Sequence, residues 1–142
     1  MNSKKTVLIV DAELPIGLAI NAGVILGMAF VSHLSRPVCR DLTDADGEIH
    51  YGLHDLPVPV LSGERGRLRD MAVTCRELAR DPACDLFMVD LTDAAQTSHT
   101  YELYAERLAK MPSDALEYRA LFICGSRKRI ERLTKDLKLY GS

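Results

Sequence analysis

Along this chain, runs that are apolar throughout alternate with stretches whose apolar positions recur every three or four residues, the mark of buried strands interleaved with helices. Residues 6–10 (TVLIV) are β-branched and apolar without a break, as a strand covered on both faces requires. Pro15 suits the first turn of a helix, where its missing N–H would be unpaired anyway, and the helix runs from Ile16 to about His33. Gly17, Gly23 and Gly27 lower its propensity but let backbone approach closely, so a helix packed tightly on a sheet is expected. Residues 14–34 are long and apolar enough to cross a bilayer. The strand before them, the carboxylates of Asp11 and Glu13, Asn21 in the middle and the alternating pattern that follows favour a buried helix instead.

Further on, residues 38–42 and 48–51 flank Asp46-Gly47, a step that accommodates the positive φ angles of a tight hairpin turn. Residues 58–61 form a short strand, and Ser62 is placed to cap a helix with Leu68, Met71, Ala72, Cys75 and Leu78 inward. Arg65, Arg69, Arg76 and Arg80 fall on its other face, offset by Glu64, Asp70 and Glu77, and read as solvated. Residues 85–91 (DLFMVDL) are the next buried strand. Asp93 and Gln96 form a capping box for a helix presenting Tyr101, Tyr104, Ala105 and Leu108 inward. Residues 119–124 are the last strand, and Ser126 caps a terminal helix carrying Ile130 and Leu133. Strands separated by helices with short connections predict an α/β fold, a three-layer α/β/α sandwich with a mixed, mostly parallel sheet, to which the hairpin gives the antiparallel part.

Composition narrows this to one domain over residues 1–142, since 47% hydrophobic residues fill one core of that size. The formal charge of -2 excludes the global attraction to duplex nucleic acid that a strongly basic protein shows. Cysteines 39, 75, 84 and 124 form no CxxC pair, and Cys75 and Cys124 fall on apolar positions. Reduced core thiols and a cytoplasmic location are expected. Lys4 and Lys5 precede only five apolar residues before Asp11, so no signal peptide is expected.

Candidate chemistry gathers where strands end, because sheets of this kind hold ligands at their carboxyl edges. The turn Gly125, Ser126, Arg127, Lys128 offers backbone N–H groups, a hydroxyl and the positive end of a helix dipole. Arg127, Lys128 and Arg129 stand in a first turn that disfavours cations by ~0.3 to 1 kcal/mol, and a bound anion would relieve this. Solvation, or pairing with nearby acids, would account for the same charges. Asp11, Asp90 and Asp93 also follow strands. If they converge they would serve in acid and base chemistry; alternatively Asp93 caps a helix and Asp11 closes a turn. No metal site is expected: Asp44, Asp46 and Glu48 lack the rest of a calcium loop, and His50 and His54 are four apart outside a helix. Nothing in the spacing brings His99 to Cys124 as base and nucleophile.

Two families share features with the chain. VLIVDAELPIG and DLFMVDL resemble strands of response-regulator receiver domains, which would make Asp90 a phosphoacceptor, but 79 residues separate Asp11 from Asp90 and the expected lysine-terminated strand is missing. The segments VDAELPIGLAINAGVILG, DADGEIHYGL, LPVPVL, MVDLTDAAQTSHTYELYAERLA and SRKRIERLTKDLKLY resemble the uncharacterised bacterial family known as domain of unknown function two-thousand. That family is similar in fold to the archaeal and eukaryotic type of peptidyl-tRNA hydrolase, whose motif continues with lysines, a glutamine and a histidine along its first helix. Here Leu18, Ile20, Val24 and Gly27 stand at those positions, so the resemblance implies the fold without the groups that would hold phosphate or activate water. The expected function is binding of a small anionic ligand, a nucleotide or phosphorylated metabolite, at Gly125 to Lys128. The competing one is hydrolysis of peptidyl-tRNA or another ester or amide through Asp11, Asp90 or Asp93. No cofactor, membrane or duplex nucleic acid is implied, and a homodimer stays open.

Overall fold

The structure, a computed structural model, describes residues 3–34 and 38–142. β1 (Lys4–Asp11) lies at the centre of a five-stranded sheet ordered β5 (Phe87–Thr92), β6 (Tyr118–Ser126), β1, β4 (Val60–Gly63), β7 (Lys138–Leu139). Side chains alternate across β1: Val7 and Ile9 join one hydrophobic core, Leu8 and Val10 the other.

The sheet is mixed, but its predicted mostly parallel character is corrected. Only β1 and β4 run parallel; β6 is antiparallel to both β1 and β5, and β7 to β4. The reason is that β6 turns back from the edge strand β5 into the slot beside β1, which strict alternation of strands and helices did not foretell. The hairpin of β2 (Leu42–Thr43) and β3 (Ile49–His50) forms a separate two-stranded ribbon and contributes nothing to the main sheet. Its turn is the Asp-Gly step expected: Gly47 has φ 86°, and Asp44 Oδ1 accepts from the N–H groups of Asp46 and Glu48.

Helices cover both faces of the sheet. α1 (Ile16–Leu34) sets Ala19, Ala22, Leu26 and Phe30 on Leu8, Val10 and Phe122. α2 (Arg65–Ala79) and α5 (Arg127–Thr134) cover the opposite face with Leu68, Met71, Cys75 and Ile130. Burial pushes the Cys75 thiol up to about 11, as an inert core cysteine requires.

Several local expectations are corrected. α1 is long and apolar enough by composition to cross a membrane, yet it is not buried throughout: only a stripe is packed, while Ile16, Ile20, Val24 and Met28, four apart, stay exposed. Ser62 lies inside β4, Glu64 takes the N-cap of α2 without a side-chain bond, and Ser126 Oγ makes no cap bond. The capping box of Asp93 and Gln96 does not form; the segment breaks into α3 (Asp93–Gln96), capped by Thr92, and α4 (Tyr101–Ala109), capped by Thr100. Between them Thr97 and Ser98 donate their hydroxyls to the carbonyls of Asp93 and Ala94, offering the backbone an exit from the helix. Tyr101 and Ala105 consequently face solvent. Arg65 and Arg76 are not simply solvated, because each reaches an acid on the sheet.

Candidate functional site

The three strand-end carboxylates fall into two sets: Asp11 and Asp93 are linked through Glu117, and Asp90 stands on Arg76. Asp11, fully buried, accepts from Arg65 Nε at 2.9 Å and from the Glu13 N–H at 3.0 Å, with Arg119 Nη1 at 3.5 Å. Glu117 closes the set by pairing with Arg65 at 3.6 Å and Arg119 at 3.3 Å. Asp90 belongs to a different set: Arg76 Nη2 donates to it at 2.8 Å while Arg76 Nη1 donates to the Tyr118 hydroxyl at 2.6 Å. Burial raises the Asp90 carboxyl above the ordinary aspartate value, with Arg76 pulling the other way. Asp93 Oδ1 accepts from the Glu117 N–H, and the Asp93 N–H donates back to the Glu117 carbonyl. Each carboxylate is thus bound to its own protein partner. Among the described residues, no three His, Cys, Asp or Glu side chains stand where they could hold a metal ion. His99 lines a cleft beside β5, while Cys124 is buried in the core under α1.

At the start of α5, protein groups already take what an anion would need. The Ser126 N–H donates to the Asp85 carboxylate and the Arg127 N–H to the Ser3 carbonyl at 2.7 Å. Arg127 Nη1 donates to Glu131, and Arg129 donates to Cys84 Sγ. Asp85 therefore supplies the negative charge at the helix entrance that Arg127 to Arg129 called for. Gly125 fits the close approach of Leu86, whose backbone would lie 3.5 Å from an added Cβ.

A large concave feature lies elsewhere, under α1 at the amino-terminal end of β1. It is a groove of about 780 Å³. Its floor is Thr6, Leu8 and Phe122; one wall is Gly23, Gly27 and Val31 of α1; the other is Val38, His54 and Leu56, from the irregular segment that flanks the β2–β3 hairpin. That segment is tied down as a ladder extension: the Cys39 N–H donates to the Leu53 carbonyl, and the Gly52 N–H to Asp41 Oδ1. Gly52 is obligatory there, because an added Cβ would overlap the Cys39 carbonyl.

The glycines on the α1 wall have different uses. A Cβ at Gly23 would come within 3.2 Å of Leu8 Cδ2, so Gly23 permits helix–strand contact as the sequence suggested. A Cβ at Gly27 would meet nothing within 4 Å; the missing side chain leaves the groove open.

Thr6, Ser32 and His54 break the apolar lining. Among the described residues, Thr6 Oγ1 and His54 Nε2 are both buried and both without a hydrogen-bond partner. Thr6 itself is 1% exposed. Leaving such an atom unpaired costs about 1–3 kcal/mol, so a buried orphan in a cavity calls for an explanation. A cavity of this volume, mostly apolar with a few polar groups, is also the usual form of a small-molecule site. Sequence reading missed it because its walls come from three distant segments; the only signal was Gly23 and Gly27, four apart on one helix face.

The profile of a family described as "Protein of unknown function (DUF2000)" matches residues 4–141. The solved structure of a protein of unknown function from Agrobacterium tumefaciens superposes with a TM-score of 0.84 at 18% identity, covering 99% of this chain and 100% of that one. At that identity the likeness establishes the fold alone. No curated protein matches the sequence.

Proposed function

The chain belongs to that family of unknown function, and from this premise we propose that it is a binding protein for a small, mainly apolar molecule carrying one hydrogen-bonding group, held in the groove under α1. The single observation that carries this reading is the pair of buried atoms, Thr6 Oγ1 and His54 Nε2, unpartnered among the described residues, in a mostly apolar cavity. A ligand whose body displaces water from the lining, and whose polar group reaches these two atoms, would gain from both terms. Val24 and Gly27 support the reading as well. They stand where the resemblance to the hydrolase calls for polar groups, and both line the groove.

The other readings have less support. Hydrolysis through Asp11, Asp90 or Asp93 would need a carboxylate free to reach water, and all three are engaged by protein donors. An anion on the Gly125–Lys128 turn would have to displace Asp85 and Ser3 from the backbone N–H groups.

Calorimetric titration with decanol tests the proposal. Saturable binding with a negative heat-capacity change is expected for the wild-type protein, and at least about tenfold weaker binding for Gly27→Leu, which plugs the groove. No saturable heat with the wild type, or equal affinity in the plugged variant, would overturn it.

A further inference from the structure

Thr6 and Leu56 of the groove also line a second, neighbouring cleft of about 300 Å³ at the start of β1, and its other lining residues are Lys4, Lys5, Asp55, Pro57, Pro59 and Arg127. Three cations and one carboxylate thus line a cleft that shares two residues with the apolar groove. Lys4 shares its side of β1 with Thr6, two residues on, so its stem runs along the same face that floors the groove. Arg127 and Lys5 meet Glu131 at 3.3 Å and 3.6 Å; the Arg127 pair is exposed and therefore a weak competitor for a bound anion, and Lys5 is half-buried.

Resting on the groove reading, we infer that the ligand is an anionic amphiphile: its apolar body fills the groove beneath Gly27, and its carboxylate or phosphate head lies over Lys4 and Arg127 beside the Thr6 hydroxyl. Thr6 lines both spaces, and its hydroxyl has a proton to donate to an anionic oxygen. The net positive border of the cleft supplies the charge complementarity that a neutral head would leave unused. This also gives Arg127 a second anionic partner beside Glu131, away from the Ser126 and Arg127 N–H groups that Asp85 and Ser3 already hold.

Four single-chain probes separate the possibilities: decanol, decanoate, decyl phosphate and decyltrimethylammonium, each kept below its micelle concentration. At low salt, decanoate and decyl phosphate are expected to bind about tenfold more tightly than decanol, and the cationic probe most weakly, with the gap shrinking as salt is added. Whichever anion binds better identifies the head as carboxylate or phosphate. A Lys4→Gln, Arg127→Gln double variant should bring decanoate down to the level of decanol, whereas Arg132→Gln, Lys135→Gln, with the same change in net charge on an exposed stretch, should not. Equal affinity for all four probes would overturn the anionic head and leave the groove standing. A parallel loss of decanol and decanoate in the first double variant would overturn it too, by showing that the cations act only on the flanking segment. Failure of every probe to bind would remove the groove reading itself.

Discussion

Thr6 Oγ1 and His54 Nε2, from the central strand and from the segment that follows the hairpin, are buried in the lining of one mostly apolar groove, and neither has a hydrogen-bond partner among the described residues. If that arrangement exists for a ligand, the free protein is less stable than it could be. Thr6→Val removes one orphan hydroxyl at nearly constant volume. Urea unfolding should show a gain of roughly 1 kcal/mol, accompanied by weaker decanol binding. A loss of stability would mean that the hydroxyl already has a partner.

The two glycines facing the groove should respond differently to alanine. At Gly27 an added methyl meets only open space, so Gly27→Ala should raise stability by about 0.5–1 kcal/mol through helix propensity and the thermal midpoint by a few degrees. At Gly23 the contact with Leu8 should cancel most of that gain. Equal stabilisation in calorimetric melts would show that α1 does not approach β1 as described.

Gly52→Ala should loosen the groove wall while leaving the core intact. Its methyl collides with the Cys39 carbonyl, in the ladder closed by the Cys39 N–H and the Leu53 carbonyl. Hydrogen exchange at the Cys39 amide should accelerate at least about tenfold while β1 and β6 amides keep their protection. Unchanged exchange would contradict the tethering.

Asp90 gives a pH dependence of defined sign. Because burial raises its carboxyl above the ordinary aspartate range, the folded chain binds that proton more tightly than the unfolded chain. The ionised group therefore costs stability at neutral pH, and the cost is relieved as pH falls through the raised titration range. Unfolding of the wild type and Asp90→Asn compared at pH 7 and pH 5 should show the difference moving in favour of the wild type at the lower pH. Movement the other way would mean that the Arg76 pair outweighs burial.

What the sequence makes legible follows from how local the signal is. The apolar run through Val7 to Val10, the helical spacing of Leu68, Met71 and Cys75 and the Asp46-Gly47 turn are local patterns, and each lies where expected. Strand order is not local. Nothing near Tyr118 to Ser126 records that this strand returns antiparallel between β5 and β1. Asp11 and Arg65 are 54 positions apart, so an arginine that reads as solvated becomes the partner of a fully buried carboxylate. The groove was the least legible part. Thr6 reads as one more residue of a buried strand, and His54 as a histidine in a loop whose spacing from His50 gives it no role, until the fold sets them in one cavity.

A crystal structure grown with decanoate is the most direct test of the central claim. The account predicts the chain lying between α1 and His54, with a head oxygen about 2.5–3.0 Å from Thr6 Oγ1 on the side of Lys4 and Arg127. A groove closed by its own side chains, with Thr6 Oγ1 bonded to a protein group and decanoate absent or bound elsewhere, would contradict it.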